Sequence, residues 1–192
     1  GRVGDKPSIK LANRLKELKF SIGRLKTGTP PRLLKKTINF NNLTEQKPDK
    51  KITPFSFINR DIHIPQVSCF ITHTNINTHK IISNNLSMSP MYSGAITSMG
   101  ARYCPSIEDK VVRFPDKNNH QIFLEPEGLD SDIIYPNGIS SSLPENIQEQ
   151  FVKSIKGLER AVITQPAYAI EYDYVDPREL SHTLETKKIE NL

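Results

Sequence analysis

The sequence predicts a soluble protein with a mixed α/β fold, and three observations lead to this prediction. Segments with apolar residues at helical spacing are interspersed with strand-like runs, without the strict alternation of a simple repeated unit. A chain of 192 residues, 36% of them hydrophobic, can bury a core as one domain or two small ones. No apolar run approaches the roughly 20 residues that are needed to cross a bilayer.

The first predicted element is a helix. Ser8 is predicted to cap it, because serine is a favoured residue ahead of a first helical turn. The helix is expected to run to about Lys19, since apolar side chains recur at helical spacing at Leu11, Leu15 and Leu18.

Irregular structure is predicted to follow a short strand. Phe20–Leu25 has the composition of a strand, and the Thr27–Pro31 stretch is predicted to end it in a loop. Residues 34–65 are polar and contain several prolines, which indicates an irregular excursion. A strand is then predicted at Val67–Thr72, followed by a short helix at Thr78–Leu86.

A cysteine precedes the next predicted helix. Pro105 suits the first helical position, and Glu108 and Asp109 would then lie in the first turn, at the positive end of the helix dipole. Cys104 would lie at that same end, with Arg102 two residues before it. Both effects would lower the pKa of the thiol, as a nucleophilic cysteine requires. A buried structural cysteine is the alternative that composition alone leaves open.

The last third of the chain is predicted to alternate strand, helix and strand. His120–Leu124 resembles a strand, and Ser142 with Glu145 has the spacing of a capping box at the start of a helix. Apolar residues mark one face of that helix, which Gly157 is predicted to end. Ala167–Val175 then has the composition of a tyrosine-rich strand.

Positive charge is concentrated near the start of the chain. The net charge is +5 and the pI about 9.1, a mild excess that favours a polyanionic partner. In the turn at Gly28, the threonine hydroxyls with Lys26 and Arg32 have the chemistry to hold phosphate oxygens, and the glycine allows a close backbone approach. The alternatives are a solvated helix face for the lysines and a rigid turn with basic flanks at Gly28, and the residues alone favour these structural roles.

The cysteines and histidines do not indicate a metal site. Two cysteines 35 positions apart, without a C-x-x-C pair, argue against both a disulfide framework and zinc, and five scattered histidines lack ligand spacing. A reducing cytoplasmic location is therefore expected.

Seven sequence blocks together resemble a known family. They are Gly23–Arg32, Ile71–Asn75, Gly100–Phe114, Ile122–Gly128, Tyr135–Ser140, Tyr168–Asp173 and Thr183–Lys187. In order and over nearly all of the chain, they are similar to the tRNA uridine 5-carboxymethylaminomethyl modification enzymes, the MnmG/GidA family. The dinucleotide-binding fingerprint G-x-G-x-x-G is absent from these residues. In the family it lies upstream, so the resemblance implies that the chain corresponds to the middle of such an enzyme.

The resemblance implies part of an FAD-binding Rossmann-type flavoprotein domain with an inserted mixed α/β subdomain. Residues 1–32, 101–130 and 179–192 would belong to the FAD-binding domain. Residues 33–100 would form the inserted subdomain, and residues 131–178 a second insertion associated with NAD and tRNA.

The resemblance also implies the site residues. Cys104 would be catalytic, as the thiolate that attacks or resolves a covalent uridine adduct, and Ser8 would contact FAD. The nicotinamide-nucleotide segment would comprise Gly100, Ala101, Arg102, Tyr103, Cys104, Pro105, Ser106, Ile107, Glu108, Asp109, Lys110, Val111, Val112, Arg113 and Phe114. Arg24, Lys26 and Arg32 would contact RNA, and no metal is expected.

The activity implied by the family is the addition of a carboxymethylaminomethyl or aminomethyl group at carbon 5 of the wobble uridine of tRNA. The expected cofactors are FAD and NADH, with methylenetetrahydrofolate as one-carbon donor. The expected partners are tRNA, the GTPase MnmE and a second copy of the intact protein, and the 192 residues alone are expected to be inactive. Two alternatives are a folate- and FAD-dependent tRNA uracil-5-methyltransferase and, for these residues alone, a non-catalytic RNA- or partner-binding module.

Overall fold

Residues 2–58 and 61–192 are described by a computed structural model, and in them four α-helices accompany two β-sheets. The helices are α1 (Ile9–Glu17), α2 (Ile76–Asn84), α3 (Ile107–Arg113) and α4 (Glu145–Lys153). The strands are β1 (Ile22–Thr29), β2 (Arg32–Leu34), β3 (Thr44–Gln46), β4 (Cys69–His73), β5 (Met99–Gly100), β6 (Gln121–Pro126), β7 (Ile133–Asn137), β8 (Ile163–Gln165) and β9 (Tyr168–Val175). Across these described residues, no helix has the length and apolar character to span a membrane.

The smaller sheet has the strand order β5-β1-β9. Strand β1 pairs antiparallel with β9 along its whole length, from Ile22 opposite Val175 to Thr29 opposite Tyr168. The predicted loop from Thr27 is therefore wrong in its first three residues, because β9 supplies hydrogen-bond partners that keep this part of the chain extended. The strand ends at Thr29, because the next residue, Pro30, has no N–H to donate.

The larger sheet has the order β3-β4-β6-β7-β2-β8, with every neighbouring pair antiparallel. The core lies between this sheet and helices α2, α3 and α4. Its fully buried side chains include Leu33, Ile82, Ile107, Ile122, Leu124, Ile134 and Phe151. Strand β3 lies within the segment 34–65, for which the sequence predicted only irregular structure.

Two predicted helix starts are corrected by the observed caps. Helix α2 begins at Ile76 because Asn75 caps it: Asn75 Oδ1 accepts from the N–H of Thr78 at 3.0 Å, and Thr78 Oγ1 accepts from the N–H of Asn75 at 3.3 Å. The predicted capping box of Ser142 and Glu145 is wrong. Pro144 precedes α4, and the Ser142 N–H donates instead to a carboxyl oxygen of Glu108 at 3.0 Å.

A buried amide joins helix α4 to the smaller sheet. Gln148 Nε2 donates to the carbonyl oxygens of Leu143, at 2.7 Å, and Ala167, at 2.9 Å. Its Oε1 accepts from the N–H of Ala167 at 2.7 Å, just before β9 begins. The Gln148 side chain is 1% exposed and satisfies backbone groups on both sides. It fixes where α4 meets β9.

The predicted domain boundaries cut across both sheets. The smaller sheet takes β1 from residues 1–32, β5 from 33–100 and β9 from 131–178. The larger sheet takes strands from three predicted segments, residues 33–100, 101–130 and 131–178. Its strand β2 also includes Arg32, the last residue of the segment 1–32. The assignment of these segments to FAD-binding domain and insertions stays a prediction.

Gly157→Ala is expected to destabilise the protein. Helix α4 ends at Lys153, earlier than predicted, and Gly157 follows at φ +84°. A Cβ there would lie 2.9 Å from the carbonyl oxygen of Asn39 and 3.0 Å from the methyls of Leu43. We expect a loss of about 1–3 kcal/mol of unfolding free energy, measured by urea denaturation. Gly94→Ala is the matched control, because Gly94 has the same φ with nothing within 4 Å. Equal losses would contradict a close approach at Gly157.

Candidate functional site

Strand β1 lies beside the start of the predicted nucleotide segment. Lys26 is opposite Gly100 in the parallel pair of β1 and β5, and its carbonyl oxygen accepts from the Ala101 N–H at 3.1 Å. A Cβ on Gly100 would be 3.7 Å from Cε of Lys26, so the lysine stem passes over the glycine. The structure therefore brings one predicted RNA-contact residue next to the segment that begins at Gly100.

Cys104 lies in a turn before α3 rather than at its first residue. The Cys104 N–H donates to the carbonyl oxygen of Ala101 at 3.3 Å, and Tyr103 between them has φ 65°. The predicted position of Pro105 inside the helix is wrong, because Ser106 is the N-cap. The Cys104 thiol is free and partly buried. It precedes the cap by two residues, and the helix that follows has seven residues.

Ser106 explains why the helix starts two residues later than expected, at Ile107. Its Oγ accepts from the N–H of Asp109 at 3.1 Å, and Asp109 Oδ2 accepts from the N–H of Ser106 at 3.1 Å. This reciprocal pair satisfies two backbone donors at the helix start. The Tyr92 hydroxyl donates to the other oxygen of Asp109 at 3.0 Å, and burial, followed by the Asp109 charge, raises the pKa of Tyr92. The carboxylates of the first turn are thus engaged within the protein.

Lys110 is the cation whose electrostatics are coupled to the cysteine. Burial lowers the pKa of Lys110, and the charge of a Cys104 thiolate raises it in part. Lys110 Nζ donates to the carbonyl oxygen of Gly138 at 2.8 Å. The sequence pointed to Arg102 for this role, and this stays a prediction; the Arg102 guanidinium lies over the Tyr103 ring, 4.8 Å from its centroid. Lys110 is six residues from the thiol in the sequence, so no local pattern indicated that its charge would interact with Cys104.

Glu108 is fully buried in a cage of serine residues. Its Oε1 accepts from Ser141 Oγ at 3.1 Å, Ser89 Oγ at 3.3 Å and the Ser142 N–H at 3.0 Å. Among the described residues, its Oε2 is buried with no hydrogen-bond partner. Burial raises the pKa of Glu108, against the opposing effect of these hydrogen bonds. The carboxyl joins α3 to the segments before α4 and after α2.

The predicted nucleotide segment is therefore open only in part. The side chains of Ile107, Glu108 and Val111 lie in the protein core, whereas Gly100, Arg102 and Tyr103 are exposed. A ligand on this segment would meet its first residues and not the inner face of α3. The individual residue assignments stay predictions.

The three predicted RNA-contact cations differ in how they are held. Arg24 Nη1 donates to Asp173 Oδ1 at 2.7 Å, and its Nε lies 3.4 Å from Glu171 Oε1. The Arg24 hydrogen bond lowers the pKa of Asp173, while for Glu171 the largest lowering of the pKa comes from Ser98, whose hydroxyl donates at 2.7 Å. Lys26 has no ion pair with any residue in 2–58 or 61–192.

Arg32 stabilises the turn that follows β1. Its Nη1 donates to Thr29 Oγ1 at 2.8 Å and to the carbonyl oxygen of Pro30 at 2.7 Å. Its Nε pairs with Glu127, and its guanidinium lies over the Tyr135 ring at 4.4 Å. With these partners and a side chain only 20% exposed, Arg32 has a clear structural role.

Ser8 lines a cleft of about 650 Å³ between α1 and the smaller sheet. The cleft is lined in part by Pro7, Ser8, Leu11, Arg24, Tyr172 and Tyr174. The Ser8 hydroxyl makes no capping hydrogen bond within the part of the chain that the structure describes. A free hydroxyl beside the first N–H groups of a helix suits an oxygen of a phosphate. Ser8 therefore fits the predicted FAD contact, and shares its cleft with Arg24.

Comparisons with known proteins match this chain throughout. A family model described as glucose inhibited division protein A, GidA, matches residues 1–192. The chain is also similar to Aquifex aeolicus GidA in its form I crystal, at 51% sequence identity and a TM-score of 0.82. The chain belongs to the GidA family. Both the predicted family and the predicted α/β class are thus confirmed, and the fold is consistent with an FAD-binding Rossmann-type domain.

The match to the GidA family covers nearly all of this chain and a smaller part of its relatives. The form I structure is matched over 93% of this chain and 31% of that chain. The form II crystal of the same Aquifex aeolicus protein is 50% identical, with a TM-score of 0.81, over 94% of this chain and 29% of that chain. This chain therefore spans less than a third of the GidA chain in each crystal.

Proposed function

We propose that this chain is part of an FAD-dependent enzyme that modifies the wobble uridine, position 34, of tRNA. The observation that carries the proposal is the likeness to GidA across 93% of the chain, together with the free, partly buried thiol of Cys104 in the turn between β5 and α3. The product would be a uridine that bears an aminomethyl or carboxymethylaminomethyl group at carbon 5. Its setting would be the cytoplasm.

Cys104 is proposed as the nucleophile. Attack of a thiolate at carbon 6 of uracil would make carbon 5 nucleophilic, which is the property that a one-carbon transfer to carbon 5 needs. Lys110 is the cation proposed to accompany the thiolate, because the charge of a Cys104 thiolate acts on the Lys110 ammonium and raises its pKa in part. The hydrogen bond from Lys110 to Gly138 holds that ammonium in place.

FAD and NADH are proposed as the cofactors, with methylenetetrahydrofolate as the carbon donor. The flavin would supply the redox chemistry, while the protein binds and orients the reactants. Ser8 would hold an oxygen of FAD, and the exposed residues from Gly100 to Tyr103 would meet the nicotinamide nucleotide. The GTPase MnmE and a second copy of the protein are the proposed protein partners.

The proposal is tested on the full-length protein that contains these residues. Deleting its gene should remove the modified wobble uridine from cellular tRNA, and the purified protein should carry flavin and restore the nucleoside with FAD, NADH, the folate donor and the GTPase. Nucleoside analysis of digested tRNA provides the measurement. A deletion strain whose wobble uridines remain fully modified would contradict the proposal.

The basic residues near β1 give a second prediction. A triple variant should bind tRNA more weakly, with Arg24→Ala, Lys26→Ala and Arg32→Ala combined. Its salt slope, the slope of the logarithm of the binding constant against the logarithm of the salt concentration, should become less steep by roughly 0.7–0.9 for each phosphate that is no longer bound. Lys26→Ala alone should account for most of the change in slope, because carboxylates already engage Arg24 and Arg32. Lys153→Ala is the control, since Lys153 pairs with Glu149 on the exposed face of α4. An unchanged affinity and slope in the triple variant would assign these residues to structure alone.

A further inference from the structure

Two aromatic side chains protrude from the loop that follows β3. Phe55 and Phe57 have relative exposures of 105% and 107%, so neither ring is covered by any described residue. They belong to residues 47–58, which lie outside the helices and strands and extend from β3, the edge strand of the larger sheet. We name residues 47–58 the aromatic loop. Two fully solvated phenylalanine rings are costly in water unless a partner covers them.

The charge of the aromatic loop indicates the chemistry of that partner. It carries Lys47, Lys50 and Lys51 against a single acid, Asp49. Lys47 lies 3.9 Å from Glu45, at the limit of an ion pair, and Lys50 and Lys51 have no ion pair with the described residues. Unpaired cations close in sequence to solvated aromatic rings are the combination with which proteins bind unpaired nucleotides: the cations hold phosphates and the rings stack on bases.

The backbone of the aromatic loop is locally held. Ser56 Oγ accepts from the N–H of Ile58 at 3.2 Å, which closes a local turn around Phe57. A local turn of this kind reduces the entropy lost when the rings are ordered by a ligand. Phe55 and Phe57 flank the serine, so both aromatic rings are next to the constrained residue.

We propose that the aromatic loop contacts unpaired nucleotides of the RNA substrate, with Phe55 and Phe57 stacking on bases and Lys50 and Lys51 holding phosphates. This inference rests on the proposed function, because it takes tRNA as the ligand. It assigns the loop to a single-stranded part of that RNA, since bases within a duplex do not offer their faces for stacking.

A tryptophan reporter tests the stacking. The 192 residues contain no tryptophan, so Phe57→Trp introduces a signal that is measured against the full-length parent protein. Added tRNA should quench the new emission, because bases stack on the indole ring. Emission that is already shifted to short wavelength and does not respond to tRNA would mean that another part of the protein covers the loop, and this would overturn the proposal.

Matched substitutions separate stacking from simple apolar contact. Phe57→Ala should weaken tRNA binding by roughly 5- to 150-fold, and Phe57→Tyr should retain binding because the ring is kept. Ile58→Ala should leave the affinity unchanged: Ile58 is also exposed in the same loop but has no aromatic face. Equal reductions in affinity for Phe57→Ala and Ile58→Ala would indicate a protein contact and overturn the proposal, as would an unchanged affinity for Phe57→Ala.

The lysines provide the electrostatic readout. Lys50→Ala with Lys51→Ala should reduce the salt slope of tRNA binding by roughly 0.7 for each single-stranded phosphate that these lysines bind. An unchanged slope would remove the lysines from the interface and overturn that part of the proposal. Binding of tRNA by the parent protein is measured alongside. A parent that fails to bind tRNA overturns the proposed function, whereas a parent that binds, with unaffected loop variants, overturns only the inference.

Discussion

Cys104→Ser in the full-length protein is expected to lower tRNA modification to background while flavin binding stays near normal. A serine hydroxyl is a far weaker nucleophile than a thiolate at neutral pH, so the attack on uracil would be lost. The proposed FAD contact at Ser8 lies in the cleft of α1, whose lining does not include Cys104. Nucleoside analysis measures the activity, and flavin absorbance per protein measures cofactor binding.

The second cysteine is the internal control for this result. Cys69 lies on β4, where burial, followed by the charge of Glu125, raises the pKa of its thiol. It should therefore react more slowly with iodoacetamide than Cys104 at neutral to mildly alkaline pH, and Cys69→Ser should retain activity. Full modification activity in Cys104→Ser, or loss of activity in Cys69→Ser alone, would remove Cys104 from the nucleophilic role.

Glu108→Ala is expected to lower the free energy of unfolding by about 2–4 kcal/mol. The substitution leaves Ser89, Ser141 and the Ser142 N–H without their shared acceptor, and each buried unsatisfied group costs about 1–3 kcal/mol, reduced where the hydroxyls rotate to other partners. Urea denaturation measures the loss. Glu149→Ala, at an exposed i,i+4 pair on α4, is the control and should change stability by less than about 0.5 kcal/mol. A loss no larger than that of the control would contradict the serine cage.

The pH dependence of this effect follows from the direction of the Glu108 pKa. Because burial raises the folded-state pKa, the protonated carboxyl is favoured in the folded protein, and its contribution to stability is lost as pH rises through that pKa. Compared with Glu108→Gln, which cannot titrate, the wild-type protein should gain stability as the pH is lowered from about 7.5 towards about 5. Denaturation curves of both proteins across this range measure the difference. The opposite trend would show that Glu108 is held as an anion.

Elements with local signals can be predicted from the order of residues alone. The leucine spacing after Ser8 predicts α1, and the aromatic and β-branched residues of 167–175 predict β9, because side-chain spacing sets which face of an element is apolar. The ordered motifs from Gly23 to Lys187 determined the family, since long matched blocks do not depend on knowing the fold. They also singled out Cys104 and the segment from Gly100.

Features that join distant residues depend on how the chain folds. Strand β1 continues through Gly28 because β9, about 140 residues later, supplies its hydrogen bonds, and turn composition alone predicts the opposite. Arg24 and Arg32 are engaged by Asp173 and Glu127, so chain folding, not local charge, determines which cation near β1 is unpaired.

The environment of the thiol was decided in the same way. The sequence predicted Pro105 inside the helix and Arg102 as the cation, since both lie beside Cys104 in the chain. In the fold, the reciprocal bonds of Ser106 with Asp109 start α3 two residues later, at Ile107. The ammonium of Lys110, on which the charge of a Cys104 thiolate acts, is held by the carbonyl oxygen of Gly138, 28 residues away. Local spacing predicts which residues can cap a helix, but contacts between distant segments decide which charges meet, because electrostatic energy depends on distance in space and on burial.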